Sequence, residues 1–123
     1  MKFVPTEKCL YWWPVKVRRP DPEAAGKVIE EEFEMQFEVL DDAETERLAE
    51  ERAAVKNEKE RVAHERGWLQ RVCRNWRNVI DDAGAPVPFS AFPSFLSLPW
   101  ARIAIYRAYG ESLSGEESPA LGN

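Results

Sequence analysis

Glu32-Phe33-Glu34-Met35-Gln36-Phe37-Glu38-Val39 is the stretch that decides the fold. Apolar and polar side chains alternate along it. A period of two places Phe33, Met35, Phe37 and Val39 on one face of a β-strand, and the glutamates and Gln36 on the other. Towards the N-terminus, Tyr11 to Arg18 offers a partner strand, because its aromatic and branched residues suit a pleated surface. Pro14 has no N–H, so that strand belongs at a sheet edge or carries an irregularity there. Between the two, Arg19-Pro20-Asp21-Pro22 and Gly26 supply turn and loop chemistry. Residues 9–40 therefore read as a wide antiparallel hairpin. A lone hairpin is marginal in water, so helices or another subunit must cover its apolar face.

Towards the C-terminus the period changes. Leu48, Val55, Val62, Leu69 and Trp76 recur every seven residues, with Val72 and Val79 as a second row. The earlier counterparts of that row are Glu51, Glu58 and Glu65, so the apolar stripe is narrow until Arg66. Asp41 and Asp42 are candidate N-caps. Asn57 to Gly67 reads as a break, since glycine costs helix stability. Two helices are expected, over 42–56 and 66–80, or one helix if the two fuse; the residues leave open whether 57–67 is helix or loop. Asp81-Asp82-Ala83-Gly84 then stops the helix and turns the chain. Pro86 and Pro88 hold it extended, and Ser90 is a candidate N-cap for a short helix over 90–97. Pro99 suits the first position of a helix over 99–113. There Ala101, Ala104, Ile105 and Ala108 form a stripe that Trp100, Ile103 and Tyr106 widen. The small, polar residues 114–123 are expected to fray.

The expected fold class is thus α+β, an N-terminal antiparallel strand pair followed by three to four α-helices. A chain of 123 residues suits one domain. Its expected parts are a β-hairpin region (1–40), a charged helical segment (41–66), a helical motif region (67–113) and a tail (114–123).

The net charge is -5, from 17 basic and 22 acidic side chains, and it is unevenly spread. Residues 21–65 hold 16 acids against six bases, whereas residues 1–20 hold five bases and one acid. An acidic centre reads as a solvated surface, or as steering towards a basic partner. All five tryptophans flank it. The acidic total argues against general nucleic-acid affinity, which needs Lys and Arg to displace phosphate counterions. No apolar run is long enough to span a membrane, and Met1 to Val15 has no run of signal-peptide type. Two cysteines, Cys9 and Cys73, are too few for a disulfide scaffold.

The search for reactive constellations returns little. His64 is the only histidine, and no Cys/His spacing makes a metal site around it. Glu30-Glu31-Glu32 resembles paired carboxylates, but neighbouring strand residues point to opposite faces. No glycine-rich phosphate loop is present. The expectation is a binding protein without catalytic residues, cofactor or metal. Its candidate partner surface is the aromatic N-terminal region: Trp12, Trp13, Phe33, Met35 and Phe37. Trp12 and Trp13 are adjacent in a strand, so they face opposite sides, and both are core only if both faces are covered.

The order of residues from Trp76 onward is more specific than any single type. It reads Trp76, then Val79-Ile80-Asp81-Asp82-Ala83-Gly84-Ala85-Pro86-Val87-Pro88-Phe89-Ser90, then Leu98-Pro99-Trp100, Ala104-Ile105 and Ala108-Tyr109. This resembles the family of bacteriophage tail assembly chaperones, in which a helix closing on a tryptophan precedes such a segment and two short helices follow. Trp13-Pro14-Val15-Lys16-Val17 and the alternating strand are similar to the family's N-terminal portion. At Asn75 this chain departs from the family, where a glycine often precedes the tryptophan. The resemblance implies a non-enzymatic protein of the host cytoplasm, missing from the mature virion. It implies that the protein binds the tape-measure protein, keeps it soluble, helps recruit the tail-tube protein and forms a homo-oligomer. Trp76, Asp81, Gly84, Pro86, Pro88, Phe89, Ser90, Trp100 and Tyr109 match the motif and carry an architectural role. Two other classes remain open from the residues: a tail-completion protein kept in the virion, and a nucleic-acid-binding regulator using Arg18 and Arg19.

Overall fold

The alternating stretch pairs as its period demands. Tyr11 lies opposite Phe37, Trp13 opposite Met35 and Val15 opposite Phe33, in an unbroken antiparallel register from Leu10↔Glu38 to Pro20↔Val28. The computed structural model describes residues 9–114. Its elements are β1 (Leu10–Pro20), β2 (Val28–Glu38), α1 (Asp42–Ala53), α2 (Glu58–Val72), β3 (Cys73–Arg77), a 3-10 turn (Phe89–Ala91), α3 (Phe92–Phe95) and α4 (Pro99–Leu113). The class is α+β, with an antiparallel sheet and helices, and α4 packs along β1. The expected fraying of residues beyond 114 lies outside the described residues.

Among the described residues the sheet has three strands in the order β1-β2-β3, not the expected pair. The third comes from the stretch expected to be helix as far as residue 80. Helix α2 ends at Val72, and Cys73 turns to extended backbone with φ -86° and ψ 123°. Met35 then pairs with Trp76 and Phe37 with Cys73, with an irregularity at Gln36/Phe37. Pairing here leaves Arg74 as the extra residue of a bulge, so Cys73 and Trp76, three apart, both face the core. The break between α1 and α2 is also shorter than expected. It ends at Asn57, whose side chain accepts from the Glu60 N–H at 2.9 Å, while Glu60 accepts from the Lys56 N–H at 3.1 Å. That reciprocal cap starts α2 at Glu58, and the helix runs through Gly67. Asp41 caps α1 by accepting from the Glu44 N–H at 2.8 Å.

Beyond β3 the expectations shift by small amounts. Ser90 caps nothing; it sits inside the 3-10 turn, whose preceding residue is Pro88. Pro99 opens α4 as expected, and Ala101, Ala104, Ile105 and Ala108 face the core. Tyr106 joins that stripe, whereas Trp100 and Ile103 do not.

The core lies between the inner face of the sheet and α2, α3 and α4. Met35, Phe37, Leu69, Val72 and Ile105 are its fully buried centre. Tyr109 meets Phe37 edge to face at 5.3 Å. At the far end of α4 the Tyr11 hydroxyl lies 2.7 Å from Ser112 Oγ, which itself donates to the Tyr109 carbonyl at 2.6 Å. Tyr11 is therefore the donor, and the pair ties α4 to β1.

Candidate functional site

Strand β3 stops at Arg77, opposite Glu34. Asn78 takes a left-handed φ of 66°, which turns the chain off the sheet. Among the described residues, Val28 to Phe33 of β2 therefore pair only with β1, and the inner face of the sheet is left open at that end. A groove of about 380 Å³ lies there, floored by Val17 and Phe33 and walled by Val79, Ile80, Phe95, Leu98 and Trp100. Ile80, Leu98 and Trp100 are 64%, 49% and 51% exposed, a high toll of apolar surface left in water. Arg19 and Glu31, 2.7 Å apart, form part of the rim. Their hydrogen bond holds the Arg19 guanidinium above its ordinary pKa.

A second cavity, about 360 Å³, adjoins the first across Trp100 and Arg19. Trp100, Ile103 and Arg107 of α4 form one wall, and Lys16, Arg18 and Val28 the other. The apolar surface continues into a basic one, in a chain whose total charge is acidic.

Of the motif residues, Trp76 and Phe89 pack together behind the groove. Trp76 donates from Nε1 to the Val87 carbonyl at 2.8 Å. Its ring lies 5.3 Å from Phe89, 5.9 Å from Phe92 and 4.6 Å from Phe95. Between Val79 and Val87 the chain makes a closed loop. Asp81 Oδ1 accepts from the N–H groups of Ala83 and Ala85, both at 2.9 Å, and Val87 N–H donates to Val79 at 2.9 Å. Gly84 has φ 80°, a conformation that costs any other residue. Ile80 bridges to Pro86 across this loop, which carries the exposed Ile80 side chain to the groove wall. Pro88 and Ser90 are exposed, and Tyr109 is buried far from the loop, beside Phe37 and Trp68.

The aromatic surface expected at the N-terminus is mostly core. Phe33, Met35 and Phe37 are 7%, 0% and 0% exposed, because the sheet's inner face is covered by α4 and by Trp76. Only Phe33 reaches the groove. Trp13 faces inward opposite Met35, and Trp12 faces outward opposite Gln36. The Arg77 guanidinium lies 4.1 Å over the Trp12 ring while binding Glu34 at 2.8 and 3.1 Å. A cation over an aromatic face is attractive, so the Arg77 guanidinium covers the Trp12 ring. That hydrogen-bonded pairing holds the Glu34 carboxyl below its ordinary pKa.

Sequence reasoning missed Ile80, Leu98 and Ile103 as surface. The available signal was their position off the alanine stripe of α4 and outside any strand. Burial raises the pKa of the Cys73 thiol, which leaves it unreactive. No group of three or more metal-ligating side chains occurs among the described residues. His64 lies 3.4 Å from Glu51 and edge-on to Trp68. No helix among the described residues is long and apolar enough to cross a membrane.

The chain matches no family model, no curated protein and no solved structure. The groove's own chemistry must therefore carry the reading. It can hold an apolar segment through Ile80, Leu98, Phe95 and Trp100, and it offers arginines to that segment's acidic flanks.

Proposed function

We propose that the protein is a tail assembly chaperone of a long-tailed phage or prophage. In this reading it is not an enzyme. It binds the tape-measure protein in the host cytoplasm, keeps it soluble, helps recruit tail-tube subunits and leaves before the particle is finished. The observation that carries the reading is the exposed apolar groove around Trp100 on a densely charged molecule. A holder of an aggregation-prone helical chain needs apolar surface to shield its client, and charge to keep the complex dispersed. The order of motif residues from Trp76 to Tyr109, which resembles that family, supports the same reading.

Co-expression with the tape-measure protein of the same gene cluster tests it. The client should move into the soluble fraction and co-purify with the chain, and Trp100→Glu should weaken both effects. No co-purification with the unaltered chain, together with no gain in client solubility, would sink the proposal.

A further inference from the structure

Strand β2 turns its two edges to two different strands. Val39 N–H donates to the Cys9 carbonyl at 2.9 Å, and Asp21 N–H donates to the Lys27 carbonyl at 2.9 Å. In the second chain segment both bonds fall on odd-numbered residues, Val39 and Lys27. The register between them is unbroken, and antiparallel ladder bonds recur at every second residue. Odd residues of β2 therefore turn their N–H and C=O groups to β1. Even residues turn theirs to the opposite edge, where β3 covers only Glu34 to Phe37. The N–H and C=O groups of Val28, Glu30 and Glu32 are left without a backbone partner among the described residues.

Side chains along this open stretch separate by face. Glu30, Glu32 and Glu34 project to the outer face. Arg77 of β3 lies opposite Glu34 and holds its carboxylate at 2.8 and 3.1 Å. Glu32 and Glu30, next along the same edge, have no β3 residue opposite them among the described residues. The ion pairs they make with β1 are no closer than 3.5 Å, and their side chains stay 45% and 49% exposed. A carboxylate has room for several donors, so each can accept a further cation. On the inner face the groove begins at Phe33, with Ile80, Leu98 and Trp100 half in water around it. Open backbone, acids and apolar groove thus run side by side along Val28 to Phe33.

We propose that this edge of β2 binds an extended segment of another protein in which basic and apolar side chains alternate. The segment would lie antiparallel to β2, in line with β3, and pair by backbone hydrogen bonds with Val28, Glu30 and Glu32. Residues opposite Glu30 and Glu32 would point outward and meet the two carboxylates, as Arg77 meets Glu34. Their neighbours would point inward to Ile80, Leu98 and Trp100. Strand β1 already meets the other edge of β2 with this pattern: Arg18 and Lys16 stand opposite Glu30 and Glu32, with Val17 between them. The arginines of the second cavity lie on the β1 side of the groove, away from this edge. The edge also discriminates. Two copies of it set side by side would bring glutamates against glutamates, which disfavours self-pairing. The inference rests on the groove being a binding surface, as the proposed function has it, and adds how an occupant is held and with which charge.

A short fluorescent peptide alternating lysine with valine tests it against the full chain. By anisotropy the peptide should bind, and binding should weaken with salt. Amide hydrogen exchange should slow at Glu30 and Glu32 when the peptide is added, since their N–H groups then acquire partners. Glu30→Gln/Glu32→Gln should weaken binding by about fivefold, the worth of two partly exposed charge contacts. N-methylation of the peptide's lysine amides, which would face β2, should abolish binding, whereas N-methylation of its valine amides should not. That pair keeps the test valid if the double variant misfolds. A glutamate–valine peptide should not bind. Absence of binding by the lysine–valine peptide overturns the proposal. So does binding that leaves exchange at Glu30 and Glu32 unchanged, or equal binding of the two methylated peptides, since either would mean a surface that does not use this backbone. Slow exchange at the two amides in the free chain that rises with its concentration would also overturn it, because the occupant would then be a second copy. Co-expression reads the client and the peptide reads the edge, so this proposal and the proposed function can each fail alone.

Discussion

At the scale of single residues, the molecule concentrates its exceptions where the chain leaves the sheet. Asn78 and Gly84 hold positive φ within seven residues of each other, and Asp81 closes the loop between them. The Asp81-Asp82-Ala83-Gly84 run was readable as a turn, because aspartate and glycine have local reasons to be there. What it turned towards was not readable. Glu34 is the residue that ties this exit to the sheet, through Arg77 at 2.8 Å and Asn78 at 3.4 Å. Its carboxyl is held below the ordinary 4.5 by the Arg77 hydrogen bonds. A depressed folded pKa means that the unfolded chain binds a proton first as pH falls. The contribution is therefore complete above pH 4.5 and disappears as pH falls through the lowered folded value. The pair is partly exposed, with Glu34 at 31%, so its worth is at most about 1 kcal/mol. Urea denaturation should find Glu34→Gln less stable by up to that amount at neutral pH. The gap to the unaltered chain should close in acid; a gap that stays constant with pH would assign the loss to something other than this ionisation.

Whole elements were legible where one period ruled. The strand over Phe33 to Glu38 and helix α4 after Pro99 follow directly from spacing. The failure at Cys73–Arg77 has a geometric cause. Trp76 and Val79 stand seven residues after Leu69 and Val72 and are buried in the same core, so the heptad series runs on through a strand. The other error had a missed signal. Asn57 with Glu60 is a reciprocal cap, and it outweighs Gly67 in fixing where α2 begins. Gly67 thus sits inside a helix with no backbone need for glycine, and a methyl group there meets nothing within 4 Å. Gly67→Ala should raise stability by about 0.5–1 kcal/mol, through helix propensity and reduced freedom of the unfolded chain. Thermal melting followed by circular dichroism checks this. A loss of stability instead would mean that α2 needs glycine at this position, for a reason the helix itself does not contain.

Across the whole molecule, the charge map read from the sequence holds at the surface and breaks at two acids, Glu38 on β2 and Glu65 on α2. The acidic centre is mostly exposed on α1 and α2, yet Glu65 is only 6% exposed. It faces Arg102 of α4, itself 7% exposed, with Arg102 Nε 3.6 Å from Glu65 Oε2. That separation is an ion pair and not a hydrogen bond. Arg61 binds the other oxygen at 2.8 Å, with Arg52 3.6 Å away, while Arg102 donates to the Leu96 carbonyl at 3.3 Å. The cluster pins the charged helices to α4 beside the apolar join that Trp68 makes with Tyr106 and Tyr109. It fixes the first turn of α4, two residues from Trp100, which stays half in water at the groove. Arg102→Met leaves Glu65 Oε2 buried with its nearest positive charge gone, and should cost about 1–3 kcal/mol, softened by Arg61 and Arg52. Glu65→Leu together with Arg102→Met removes both buried charges and lets the two half-exposed arginines turn to water. The double variant should therefore recover at least about 1 kcal/mol relative to the sum of the single losses, a coupling that a double-mutant cycle in urea measures directly. Strictly additive losses would mean that Glu65 and Arg102 are buried side by side without holding the two layers together, and the apolar join through Trp68 would then carry the attachment alone.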